Sequence, residues 1–228
     1  AWRRRKARSL VKLLALARRA GTRVIGVYEW KLGEKSRAAN AALVGLGRTR
    51  RILVSDTMLA DYSDDEIEVV LARVAELGTR MVELTGGEPL LQKAVPELVR
   101  RLCDAGYTVL IETGGHHDIS VLDPRAHAIV DVKTPGSGMA ARNDLGNLAR
   151  LRAGDELKLV LRDRADYDWA VQLIRAHGLE SRVPVNLSPV HGVLEPRELA
   201  GWILEDGLWV RLNLQMHKYV WGAETKGV

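Results

Sequence analysis

The sequence predicts an α/β fold, a parallel sheet with helices outside it, on three observations. From Met81 onward short apolar runs (MVELTG, TVLIET, AIVDVK, LKLVL and VPVNLSPV) alternate with helical patterns, the βα rhythm of a parallel sheet. Each run closes on polar or glycine residues: Thr85-Gly86-Gly87-Glu88, Glu112-Thr113-Gly114-Gly115, Asp131-Val132-Lys133 and Asn186-Leu187-Ser188. With 46% hydrophobic and 28% charged residues, and no apolar run near the roughly 18 residues of a membrane span, the composition is that of a soluble globular protein. The 228 residues fit one good-sized core or two small ones.

Taken in order, Ser9 to Ala20 (SLVKLLALARRA) has apolar residues at helical spacing and a stop at Gly21. Arg23 to Leu32 and Arg51 to Ser55 read as strands, separated by an Ala-rich, Gly-containing stretch from Ala38 to Gly47. Ser63, with Glu66 three residues on, is a capping box that opens a helix running to Leu77, where Gly78 ends it. Beyond Met81, helices are expected over Lys93 to Ala105, Asp166 to His177 and Pro196 to Leu204. A final run, Val210 to His217, reads as one more strand with a polar end.

Charge is uneven: residues 1–72 hold 15 of the 34 Lys/Arg and 8 of the 29 Asp/Glu, leaving 19 and 21 for the rest. A basic N-terminal helix of this kind touches nucleic acid or an anionic membrane when aromatics or a binding motif interleave it. Neither does here, so a solvated helix face is the preferred reading. Arg3-Arg4-Arg5-Lys6 leads into no apolar signal core, which points to the cytoplasm. The single cysteine, Cys103, excludes both a disulfide framework and a cysteine-ligated metal site within one copy.

In parallel barrels and open α/β sheets alike, ligands bind at the C-terminal ends of the strands, so the polar run ends converge on one site. Thr85-Gly86-Gly87-Glu88-Pro89 is the sharpest of them. Its two glycines permit close backbone approach, and Glu88 can accept from an ammonium or an amide.

VELTGGEPLLQ (Val82 to Gln92), IETGG (Ile111 to Gly115), DVKTPGSG (Asp131 to Gly138), NLSPV (Asn186 to Val190) and LQMHKYVWGAETKGV (Leu214 to Val228) occur in the order and spacing of 7-carboxy-7-deazaguanine synthases. The resemblance covers about two thirds of the chain, from Arg73 onward. It implies a partial, TIM-like (βα) barrel of the radical S-adenosylmethionine type that converts 6-carboxytetrahydropterin to 7-carboxy-7-deazaguanine in deazapurine biosynthesis. By that resemblance Gly86, Gly87, Glu88 and Pro89 hold the amino-acid end of S-adenosylmethionine, and Ser137 with Ser188, Pro189 and Val190 meets its ribose and adenine. Glu112, Thr113 and Gly114 face the ligands at the barrel centre, and Gln215 and His217 help hold the pterin-type substrate. The resemblance also implies a homodimer. Plainer roles compete: Ser137 as a turn former, His217 as a surface or core histidine, Lys133 as a strand-end ion pair with Asp131.

The family's reductive cleavage of S-adenosylmethionine needs a 4Fe-4S cluster on three cysteines of a loop after the first barrel strand. Residues 1–80 hold no cysteine here, and Cys103 lies in an amphipathic helix. The threonine that serves a magnesium ion after that loop is missing with it. No catalytic or metal-ligating residue is therefore assigned, and the expected chain is an inactive member.

Residues 1–72 resemble something else, the segment before the zinc motif of membrane-associated metallopeptidases related to CAAX prenyl endopeptidases. The carriers are VYEWKLGEKSRAANAALVGLGRTRRILVSDTML and SDDEIEVVLA, Val27 to Ala72. In that family two histidines and a glutamate of His-Glu-x-x-His follow, binding zinc and supplying a general base. This chain reads Arg73-Val74-Ala75-Glu76-Leu77 there. The two resemblances meet inside one helix and imply a chimera: a metallopeptidase-like α+β segment over 1–72 and a barrel over 73–228. The rival readings are an inactive peptidase remnant and a non-catalytic binding module.

Overall fold

The computed structural model describes residues 41–44, 51–54, 70, 71, 74, 75, 79–220 and 222, the first two segments and His217 by backbone only. The expected helix from Ser9, the strand from Arg23, the capping box at Ser63 and the tail beyond Gly222 lie outside these residues.

Among the described residues eight strands form one sheet in simple sequence order. They are β1 (Ala41–Val44), β2 (Arg51–Val54), β3 (Met81–Leu84), β4 (Thr108–Thr113), β5 (His127–Val132), β6 (Glu156–Leu161), β7 (Val185–Pro189) and β8 (Arg211–Leu212). β1 runs antiparallel to β2, and every pairing from β2 to β8 is parallel. Strands in unbroken order wind in one direction, as in a barrel, whereas a doubly wound sheet reverses its order partway. β1 and β8 are the ends of this order, so the barrel is partial. β2 pairs with β3 from Arg51↔Met81 to Val54↔Leu84 and covers an edge that would otherwise be open.

Helices α1 (Val95–Asp104), α2 (Asn147–Arg150), α3 (Arg164–Ala176), α4 (Pro196–Glu205) and α5 (Met216–Val220) follow the strands. α1 buries Val95, Leu98, Val99 and Leu102, an i, i+3, i+4, i+7 stripe. α3 repeats this with Tyr167, Ala170, Val171 and Ile174, and Asp163 caps it by accepting the Asp166 N–H at 3.0 Å. Residues 70, 71, 74 and 75 are helical, and Val70 and Val74 join the same core.

The sheet's two faces differ. Val82, Ile111, Val130, Leu159 and Val185 are among the strand residues wholly removed from solvent, and with the helical stripes they form the hydrophobic core. Residues of opposite parity, such as Glu83, Glu112, Lys158 and Asn186, face the barrel interior, which is polar and roomy. A closed eight-strand barrel would fill that space with branched apolar side chains.

Two expected elements differ. The Ala-rich stretch from Ala38 to Gly47, read as a separator between strands, holds β1, Ala41–Val44. Val210 to His217 is not a continuous strand: only Arg211–Leu212 pairs, and Met216 begins α5. The period-2 alternation is real, and Asn213 N–H still reaches Leu187 O at 2.9 Å. Past Asn213 the register brings Leu214 level with Pro189, the last residue of β7, and the ladder stops there. No helix of the described residues is long and apolar enough to cross a membrane.

Candidate functional site

After β3 the chain turns at Gly86 (φ 94°) and Gly87 (φ 53°), in the positive-φ region that favours glycine. The turn brings Glu88 to the head of the 3₁₀ turn Pro89–Leu91, where its carboxylate accepts the Leu90 N–H at 3.0 Å. The same carboxylate accepts the Thr113 hydroxyl at 2.8 and 2.9 Å and the Gly114 N–H at 2.8 Å. Glu88 is 4% and Thr113 1% exposed, so the two form a buried strut between the ends of β3 and β4. His116 Nδ1 stands 3.6 Å from Glu88 Oε2, and a β-carbon at Gly114 would press against the same imidazole at 3.0 Å.

The barrel interior holds a cavity of about 600 Å³. Its walls start at the first residues of strands, among them Met81, Thr108, His127 and Arg211, and reach up to Glu112 and Asn213. Of the described site residues named from sequence, Glu112 alone lines it; the Gly86 to Pro89 turn and the ends of β5 and β7 stand beyond its walls. The cavity is thus the bore beneath the C-terminal mouth.

Glu112 anchors a charge network there. Its Oε1 accepts Lys158 Nζ at 2.6 Å and its Oε2 the Thr85 hydroxyl at 2.8 Å. Burial pushes Glu112 up, but the charge and hydrogen bond of Lys158, with Thr85 and Lys133 behind them, hold its pKa below the ordinary value. Burial pushes Lys158 down, and Glu112, Asp131 and Glu83 together outweigh it, so its pKa is raised. Both stay charged near neutrality. A second network joins Glu156 to Asn186 at 2.8 Å and to Arg211 at 3.1 Å.

The loop after β5 is pinned rather than free. Lys133 Nζ meets Asp131 Oδ2 at 2.7 Å. Ser137 Oγ donates to Thr134 O at 2.6 Å and accepts the Met139 N–H at 3.1 Å, the geometry of a turn former. Asp166, 1% exposed at the start of α3, accepts the Gly136 N–H at 2.7 Å, and Arg162 donates to Gly136 O at 2.9 Å. At the top of β7, Ser188 is 1% exposed, and Val190 N–H extends the ladder to Leu161 O at 2.9 Å. Gln215 follows β8, and the side chain of His217 lies outside the described residues.

Lys158, Asp166, His191 and Asn147 were not named from sequence. Lys158 was legible as the one cation inside the apolar run LKLVL. Asn147, wholly buried, donates to His117 O at 2.7 Å and accepts the Ile119 N–H at 3.2 Å, contacts that no local pattern announces.

Among the described residues no three His, Cys, Asp or Glu side chains are arranged to hold a metal ion. Cys103 lies half-buried on α1, its thiol pKa pushed up by burial and by the charge of Asp123. A raised pKa is the opposite of what a thiolate ligand needs. One such thiol does not fit a 4Fe-4S cluster.

No family model matches the chain. It is 43% identical over 165 residues to the 7-carboxy-7-deazaguanine synthase of Chlorobaculum tepidum, covering 71% of this chain and 75% of that protein. Against the enzyme of the same name from Koribacter versatilis it is 43% identical over 180 residues, covering 73% and 79%. The structure of QueE from Escherichia coli superposes with a TM-score of 0.59 at 18% identity, over 78% of this chain and 92% of that one, a shared fold. Identity of this level over three quarters of both relatives, on a partial barrel with polar strand ends, shows that the chain belongs to the 7-carboxy-7-deazaguanine synthase family.

Proposed function

We propose that this chain is a catalytically silent member of that family, which keeps a ligand site at the mouth of its barrel without the 4Fe-4S cluster. The cysteine inventory carries the reading: residues 1–80 have none, and the single Cys103 sits on an outer helix. When bound in an intact family member, the cluster supplies the electron that cleaves S-adenosylmethionine. The ligand in view is S-adenosylmethionine or a pterin such as 6-carboxytetrahydropterin. Gly86, Gly87 and Pro89 would frame its amino-acid end, Ser188 to Val190 its adenine, and Glu112 would face the substrate. Glu88 would act through the backbone turn that it holds.

The proposal also covers the first 72 residues as a segment of metallopeptidase-like origin, a homodimeric state and a cytoplasmic location. Sequencing genomic DNA across the codons for residues 60–85 tests the junction, and light scattering tests the dimer.

Isothermal titration of the folded protein with S-adenosylmethionine and with pterin-6-carboxylate tests the retained site. Saturable heat for either supports it. A folded protein that binds neither has lost the site along with the chemistry.

A further inference from the structure

The lower bore is hollow where a barrel is normally packed. Its cavity of about 600 Å³ is lined by Thr108, His127, Glu156 and Arg211, each the first residue of its strand, so it reaches the N-terminal side of the sheet, away from the mouth. Glu112 and Lys158, paired at 2.6 Å from β4 to β6, are lining charges on the side of the mouth. The N-terminal end of a barrel ordinarily serves stability, and its interior is filled by branched apolar side chains. Charged groups around a cavity give up hydration that apolar filling would not have to replace, so this lining calls for a partner.

Asn186 lines this cavity and is 7% exposed, and its Nδ2 donates to Glu156 Oε2 at 2.8 Å. An ionised carboxylate only accepts, so this bond fixes which way the carboxamide faces. Its Oδ1 is left an acceptor that no donor of the described residues reaches. His127 makes no hydrogen bond among the described residues either. Its imidazole lies against Gly154, where a β-carbon would run into Nδ1, so the glycine gives the ring its place beside the start of β6. Glu83, Glu112 and Glu156 set three carboxylates against Lys158 and Arg211. The lining is thus negative inside a chain whose formal net charge is +5.

We infer that this lower bore is a second ligand compartment, separate from the mouth, and that it takes a small organic ammonium ion. An ammonium presents donors only, and it meets here a carboxamide oxygen, an imidazole nitrogen and an excess of carboxylates. A phosphate or carboxylate ligand would face that excess as like charge. A bare metal ion lacks its ligand set, since no three His, Cys, Asp or Glu side chains of the described residues are arranged to hold one. An apolar ligand would leave Asn186 Oδ1 and the charged lining unmatched. The volume suits a small organic molecule, whose pockets span roughly 300–1,000 Å³. The inference goes beyond the retained site at the mouth and does not depend on it.

Titration calorimetry with putrescine tests it on wild type, Ile129→Phe and Glu156→Gln, with butanediol and succinate as the neutral and anionic counterparts. Ile129 lines the cavity, so the larger ring of Ile129→Phe fills it. Expected is saturable binding of putrescine to wild type and of neither counterpart. Ile129→Phe abolishes that binding while its thermal midpoint stays level or rises, because the added ring enters existing space. Glu156→Gln weakens it roughly tenfold. Should Ile129→Phe not fold, Glu156→Gln decides alone. A folded wild type that binds no putrescine overturns the inference, as does equal binding of butanediol or an affinity that neither substitution changes. Competition with putrescine by S-adenosylmethionine or pterin-6-carboxylate also overturns it, since the bore would then be the floor of the mouth site. Putrescine bound without either mouth ligand upholds the bore, and the retained site alone falls.

Discussion

The hydroxyl of Thr113 donates to both carboxylate oxygens of Glu88, at 2.8 and 2.9 Å, across 25 residues of sequence. This bond fixes the turn after β3 against the turn after β4, so the two strand ends that frame the barrel mouth move as a unit. Glu88→Gln turns an NH₂ group toward the Thr113 hydroxyl and the Gly114 N–H and leaves a buried donor unmet. A loss of about 2–3 kcal/mol is expected, read as a lower urea midpoint at unchanged slope. An unchanged midpoint would mean that the strut contributes nothing.

Lys158 and Glu112 support each other across β4 and β6 at 2.6 Å. The Glu112 pKa is depressed below its ordinary 4.5, so its contribution is present above that value and is lost as pH falls through the folded pKa. The Lys158 pKa is raised above 10.5, so its contribution is present below that value and is lost as pH rises through the folded pKa. The pair therefore stabilises throughout the neutral range. Lys158→Met is expected to cost about 1–3 kcal/mol at neutral pH, with the gap to wild type narrowing below pH 4.5 in chemical denaturation. A gap that is constant with pH would assign the loss to packing instead.

Gly136 gives the loop after β5 its close approach to α3. A β-carbon there would come within 2.5 Å of Asp166 Oδ2, an oxygen held in place by the Arg162 N–H at 3.1 Å. Gly136→Ala is expected to destabilise by about 1–3 kcal/mol and to speed proteolysis at the exposed Ser137 to Met139 segment. Equal cleavage rates would show that the loop accommodates the methyl group.

Tyr167 ties α3 to α4: its hydroxyl donates to Asp206 Oδ2 at 2.7 Å and lies 2.8 Å from Trp202 O, and the ring is wholly buried. Burial, with the Asp206 carboxylate beside it, keeps the phenol protonated far into the alkaline range. Tyr167→Phe removes a bond to a charged acceptor and is expected to lower stability by about 1–2 kcal/mol, as a thermal midpoint shift without change in the circular dichroism spectrum.

Much of the fold was legible because its signals are local. The runs ending at Thr113, Val132 and Leu161 alternate toward a buried outer face, and the stripe Val95, Leu98, Val99, Leu102 has helical period. The last strand was over-read because the alternation in RLNLQM continues past Leu212, where the pairing with β7 stops. At the site, the sequence located the strand ends but not the partners that decide what each side chain does. Glu88 could be seen as an acceptor, yet its donors on Thr113 and Gly114 come from another strand end. Asp166 reads as an ordinary first-turn acid of α3, and only the fold brings Gly136 to it. His191 lacked any motif, and the ring it meets, that of Tyr219, lies 28 residues on.

Anaerobic reconstitution of the purified chain with iron and sulfide, followed by desalting, visible absorbance and iron quantitation, tests the silent-barrel reading most directly. The expected result is background iron and no charge-transfer band, since one thiol on α1 cannot hold a cluster that needs about three thiolates. A stable 4Fe-4S spectrum with stoichiometric iron would contradict it.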